Sequence, residues 1–251
     1  MIFLSAFTNS IIVEEYKRKR RAGQFLEEYK WLLRSINKVY PESTALLYNF
    51  EGIINVDELR AIHQKLIVFN WNEHFKDYLG IDLNYLRALK SSLELFDDDI
   101  LMLDPDCLVV KRFDKLLQDD VDVTAVTRGP VKWNGVYHNI VFAPAIYHRH
   151  RKDIVNHYID ELYLKGYKIG GITKDFWSNV QAGVNELFFS AGMELEVDYK
   201  HFNPEYGTLN TGKEEVKLKV LPQYVLAYPI QEEKYYPETC IIHYKNYKNR
   251  N

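Results

Sequence analysis

Apolar positions along the chain follow two periods in alternation. Ile2 to Phe7, Ala45 to Phe50, Leu66 to Trp71 and Ile100 to Leu103 are short and mostly apolar, as strands buried on both faces are. Between the first two, Phe25, Leu26, Tyr29, Leu32, Leu33 and Ile36 recur at helical spacing and end before Pro41. Val56 to Lys65 reads as a second helix, and Leu86, Leu89, Leu93 and Phe96 mark a third. The predicted order is therefore β-α-β-α-β-α-β.

Such alternation favours an α/β fold with a mostly parallel central sheet flanked by helices, because a parallel crossover needs roughly the length of a helix. Ligands of such sheets sit outside the carboxyl ends of the strands. Beyond Val121 the pattern is less regular. Val121 to Val126 and Val136 to Tyr147 look extended, Asp153 to Leu164 and Lys174 to Phe189 look helical, and Pro222, Pro229 and Pro237 break the tail. No repeat, low-complexity tract or Gly/Ser-rich linker divides the chain, so residues 1–251 are expected to form a single domain.

Composition narrows the classes. With 251 residues, 47% of them hydrophobic, the chain can bury a substantial core. Thirty-two Lys and Arg against 35 Asp and Glu leave a net charge of -3, so no global field steers it toward nucleic acid or an anionic membrane. Cys107 and Cys240 have neither zinc-site spacing nor a disulfide framework around them, which points to a reducing, cytoplasmic setting. MIFLSAFTNSII is too short and too polar for a membrane span and has no basic segment before it, so it reads as a first strand.

The chemistry concentrates at Asp104-Pro105-Asp106. Ile100 to Leu103 is a buried-strand run, Pro105 must end its ladder, and the two aspartates then leave a turn with their carboxylates near one another. Hard oxygen ligands at a strand end suit Mn²⁺ or Mg²⁺. A solvated Asp-Pro-Asp turn is the plain alternative. The run continues through Leu108-Val109-Val110 into Lys111-Arg112-Phe113-Asp114-Lys115-Leu116-Leu117.

Over Asp99 to Leu117 the sequence resembles the nucleotide-sugar-dependent glycosyltransferases of the GT-A fold, with their Asp-x-Asp motif. The likeness extends more loosely to Phe3-Leu4-Ser5-Ala6-Phe7-Thr8, similar to their first strand, and to Arg87 on the helix before the motif. It implies that Asp104 and Asp106 hold a divalent ion on the diphosphate of a sugar donor, UDP-linked or GDP-linked. Ala6, Phe7, Thr8 and Arg87 would hold the nucleotide. Cys240 to Lys248 resembles the closing segment of metal-dependent members, which implies a metal role for His243 and diphosphate contacts for Lys245 and Lys248. The Gly and Lys-Pro-Trp ending common in that segment are absent. By the same resemblance, residues 1–120 form the donor half and 121–251 the acceptor half and closing segment.

The acceptor side is less legible. Lys174 to Phe188 resembles the helix that carries an acid beside Gln in related transferases, but Val180 stands where that acid precedes Gln181. Asp175, Glu186 and Asp198 stay open as candidate bases, and Asp175 also suits a helix N-terminus. Retention and inversion stay open too, the His243 segment leaning toward retention by resemblance. Trp133 to Asn139 suits either a sugar platform or a hairpin about Asn134-Gly135. Lys17 to Arg21 and His148 to Lys152 are basic runs expected to be solvated.

Two function classes follow from these residues. The first is a metal-dependent transferase moving one sugar from a nucleotide donor to a saccharide or glycoconjugate acceptor. The second, suggested by Val180 and the incomplete tail, is a non-catalytic carbohydrate-binding or interaction protein on the same scaffold. A nucleotidyltransferase fits less well, since no Gly-rich phosphate loop follows the first strand.

Overall fold

The structure is a computed structural model that describes residues 1–7, 24–50, 52–71, 78–133, 136–151, 185, 188–195, 203–210, 212, 214–222, 225, 228–229 and 236–244. For 78–85, 128–133, 136–144 and 228–229 it describes the backbone alone.

The first hundred residues fold in the predicted order. β1 (Ile2–Phe7), β2 (Thr44–Asn49), β3 (Leu66–Asn70) and β4 (Ile100–Leu103) alternate with α1 (Gln24–Val39), α2 (Val56–Ile62) and α3 (Tyr78–Leu95). They pair in parallel in the spatial order β3-β2-β1-β4. Every residue of β1 and β4 is buried, which is why both read as unbroken apolar runs.

α1 packs on one face of this sheet through Tyr29, Leu32, Leu33 and Ile36, against Phe3, Leu47, Leu101 and Leu103. α3 covers the other face with Leu86, Leu89 and Leu93 against Leu46, Tyr48 and Met102. Fully burying each such side chain is worth about 1.5–3 kcal/mol. Two further devices hold the helices. Asn55 caps α2 by accepting from the Glu58 amide at 3.2 Å, and the buried Lys30 of α1 reaches Glu58 of α2 at 2.6 Å.

α2 stops at Ile62, three residues short of the predicted Lys65. His63 is already extended (φ -142, ψ 106), and its ring lies 3.2 Å from Asn37 and 3.0 Å from the Ser43 carbonyl. Tertiary contacts of one side chain thus end a helix whose local sequence could continue.

The second half extends the sheet. β6 (Val123–Trp133) and β7 (Val136–His148) form a long antiparallel pair, β7 also pairs antiparallel with β4, and β8 (Glu205–Asn210) with β9 (Glu215–Pro222) completes eight strands. β6 runs seven residues past the predicted end at Val126. It does so through Pro130 by shifting register between Arg128 and Val131, since proline cannot donate to the ladder. Trp133 and Val136 are paired neighbours, as a hairpin about Asn134-Gly135 requires, while those two residues lie outside the described ones.

His148 corrects an expectation, while Arg149 and Arg151 stay about 40% exposed as expected. His148 is buried at the end of β7, Arg149 pairs with Asp120 at 2.6 Å and Arg151 with Asp122 at 2.7 Å. This run is therefore largely paired within the fold, because β7 ends beside the acidic stretch that leads into β6. It also lies opposite the start of β4, Ile100 pairing with His148, at the far end of that strand from Asp104.

Among the described residues no helix is long and apolar enough to cross a membrane. Cys107 and Cys240 are buried free thiols.

Candidate metal and donor site

The strand order reverses between β1 and β4, where consecutive connections leave in opposite directions and open a crevice at the carboxyl ends. Asp104 follows β4 directly into that crevice. The Cys107 amide donates to the Asp104 carbonyl at 3.1 Å, closing a four-residue turn with Pro105 at its second position, where the ring's fixed φ is favoured. Asp104 and Asp106 are thus the first and third residues of one turn. Ser5 of β1 donates to the Leu103 carbonyl at 2.7 Å and fixes the strand end from which the turn leaves.

The third contributor arrives from the far end of the sequence. β5 (Cys107–Val109) leaves the turn and pairs antiparallel with β11 (Ile241–His243), Cys107 opposite His243, while β11 also pairs with β10 (Tyr228–Pro229). The Tyr244 amide donates to the Asp106 carbonyl at 3.0 Å and carries the pairing onto the turn itself. His243 is consequently set against both aspartates.

His243 Nε2 lies 3.1 Å from Asp106 Oδ1 and 3.9 Å from Asp104 Oδ2. One ligand atom from each residue lies within 4.8 Å of the others. Asp106 and His243 are buried, whereas the Asp104 side chain is 20% exposed, so the site opens on the Asp104 side.

Two carboxylates and one imidazole match a divalent cation such as Mn²⁺ in donor type. Spacing agrees as well. Ligands about 2.1 Å from an ion stand about 3.0 Å apart when adjacent in an octahedron, close to the His243 to Asp106 distance. Asp104, Asp106 and His243 would hold the ion, and open positions would remain for other oxygens on the exposed side.

The other expected residues are placed as follows. Ala6 and Phe7 are buried at the end of β1, with the Phe7 ring stacked on Phe25 at 6.2 Å and tilted on Tyr29 at 5.6 Å. Arg87 is exposed on α3. Thr8, Asp175, Glu186, Asp198, Lys245, Lys248, Lys17 to Arg21 and Lys152 lie outside the described residues, as does the Trp133 side chain. Ser5 and Tyr244 were not anticipated. Their roles rest on one hydroxyl and one backbone amide, groups that carry no sequence signature.

No protein-family model and no curated protein matches the sequence. Solved structures do match. A galactosyltransferase, LgtC, in complex with donor and acceptor sugar analogs is similar over 98% of this chain and 87% of its own, at TM-score 0.54 and 12% identity. WbbM, a bifunctional glycosyltransferase in its apo form, is similar over 97% of this chain and 45% of its own, at TM-score 0.52 and 10% identity. A glycosyltransferase involved in glycosylation of the major capsid of PBCV-1 is similar over 96% and 92% of the two chains, at TM-score 0.52 and 10% identity. With β1 to β4 in switch-point order and the Asp104 turn in the crevice between them, the chain has the GT-A fold of these glycosyltransferases.

Proposed function

We propose that the protein is a metal-dependent glycosyltransferase that moves one sugar from a nucleoside-diphosphate sugar, UDP-linked in the first place and GDP-linked in the second, to a saccharide or glycoconjugate acceptor. The observation that carries this reading is the convergence of Asp104, Asp106 and His243 within 4.8 Å at the switch point of a sheet shared with sugar-transferring enzymes. A Mn²⁺ or Mg²⁺ ion held there offsets charge that builds on the donor diphosphate as the sugar leaves.

In this reading residues 1–120 bind the donor and 121–251 the acceptor. Asp106 and His243 ligate the metal, and Asp104 serves the metal or the donor sugar from the exposed side. Ala6, Phe7, Thr8 and Arg87 hold the nucleotide, and Lys245 and Lys248 meet the diphosphate as compact positive charges. The acceptor hydroxyl is served by one of Asp175, Glu186 and Asp198, or by none of them if the sugar is transferred with retention. Two buried free thiols suit a reducing cytoplasmic compartment.

The test is a thermal-shift panel of nucleoside diphosphates with and without Mn²⁺, followed by donor hydrolysis with the nucleotide that responds. A metal-dependent shift and turnover, both lost in Asp106→Ala, are expected. A folded protein that neither shifts nor turns over any donor would leave only the binding-protein reading.

A further inference from the structure

We infer that Ser35 of α1 is a positioning residue for the metal site, acting through β5, in an inference that rests on the metal-binding reading above. β5 is the edge strand of the three-stranded sheet β10-β11-β5. One of its edges faces β11, where Val110 donates to the Cys240 carbonyl at 2.8 Å. In an extended strand successive amides point to opposite sides, so the Val109 amide points away from β11.

That amide would be an unpaired edge donor without α1. Instead it donates to Ser35 Oγ at 3.0 Å, and Ser35 in turn donates to the Leu32 carbonyl of its own helix at 2.7 Å. The hydroxyl is thereby oriented, with its proton in the helix and its lone pair toward β5. Two further anchors lie around the site, one on the same helix and one on the residue that follows it. The Tyr40 hydroxyl just beyond its end accepts from the Phe113 amide at 2.7 Å, and Tyr244, next to His243, donates its hydroxyl to the Glu28 carbonyl at 3.3 Å.

α1 therefore holds both arms of the ligand set. The arm carrying Asp104 and Asp106 is tied at Val109 and Phe113, and the arm carrying His243 is tied at Tyr244. Among the described strands, β11 alone pairs with β5. Ser35 lies nearest the ligands of the two anchors on the first arm, its bonded residue standing three positions from Asp106. It touches no ligand and would be silent in any search for metal-binding residue types.

The test measures Mn²⁺ affinity by titration calorimetry on the full chain without nucleotide, beside the melting temperature. Ser35→Ala should weaken Mn²⁺ binding about tenfold, at the low end of the 10–100-fold effect of outer groups that orient metal ligands. Ser35→Thr, which keeps a hydroxyl, should recover most of it. Leu59→Ala in α2 destabilises the same side of the core without a bond to β5, and should lower the melting temperature while leaving Mn²⁺ affinity within twofold. Equal Mn²⁺ affinity in wild type and Ser35→Ala would overturn the role of Ser35 while leaving the metal site standing. Absence of Mn²⁺ binding in the wild type would overturn both.

Discussion

His243 Nε2 and Asp106 Oδ1 lie 3.1 Å apart across 137 residues of sequence. The approach depends on a short antiparallel pairing in which His243 stands opposite Cys107 and the Tyr244 amide meets the Asp106 carbonyl. One strand of three residues thus adds an imidazole to the two carboxylates of the turn. The first prediction follows from it. Asp106→Ala and His243→Ala should each abolish the Mn²⁺-dependent nucleotide shift while retaining a cooperative melt, and donor turnover should fall by at least about 100-fold, the scale on which charge-stabilising groups act. Wild-type turnover in either folded variant would rule out the ligand set.

Ser5 holds the strand end from which that turn leaves. Its hydroxyl is buried and donates to the Leu103 carbonyl at 2.7 Å. Ser5→Ala should cost about 1 kcal/mol of stability, or about 2–4 °C in melting temperature for a chain of this size. It should also raise the Mn²⁺ concentration needed for half-maximal thermal shift. A variant that melts lower with unchanged Mn²⁺ response would restrict Ser5 to a structural role.

Ser92 offers a contrast away from the site. It donates to the Ala88 carbonyl at 2.7 Å and lies 3.2 Å from the Tyr48 hydroxyl, joining α3 to the buried face of β2. Ser92→Ala removes a buried partner of Tyr48 and should cost about 1–3 kcal/mol. Denaturant titration should show a lower midpoint with unchanged slope, and Mn²⁺ affinity should stay at the wild-type value.

His148 should govern part of the acid response. Burial pushes its pKa down from 6.5 to about 3. The unfolded chain therefore takes up a proton at His148 that the folded chain refuses, so stability is fully present above about pH 6.5 and is lost as pH falls toward about 3. The slope attributable to this residue approaches about 1.4 kcal/mol per pH unit within that window. His148→Leu should flatten stability against pH over the same range. A residual slope is expected, because burial also lowers the pKa of His63. An unchanged profile would mean that His148 can protonate in place.

Much of the fold was open to reading from single residues. The buried runs Ile2 to Phe7 and Ile100 to Leu103, and the helical face of Tyr29, Leu32, Leu33 and Ile36, are local signals with one physical cause each, and all formed as expected. Asp104-Pro105-Asp106 was equally legible, since proline at the second turn position is a property of the chain itself. Where neighbours decide, the pattern fell short. His63 ended α2 early through Asn37 and Ser43, β6 passed Pro130 by a register shift, and His148 was buried at the end of β7.

The sequence by itself determined the strand and helix alternation and the delivery of two carboxylates to one turn, because hydrophobic period and turn chemistry act over a few residues. Only the tertiary structure decided that β1 and β4 are neighbours, that β11 returns to lay His243 on Asp106, and that Ser35 closes the edge of β5. These are pairings between segments far apart in the chain, and backbone amides and hydroxyls that look alike everywhere in a sequence acquire their roles only when the sheet brings one opposite another.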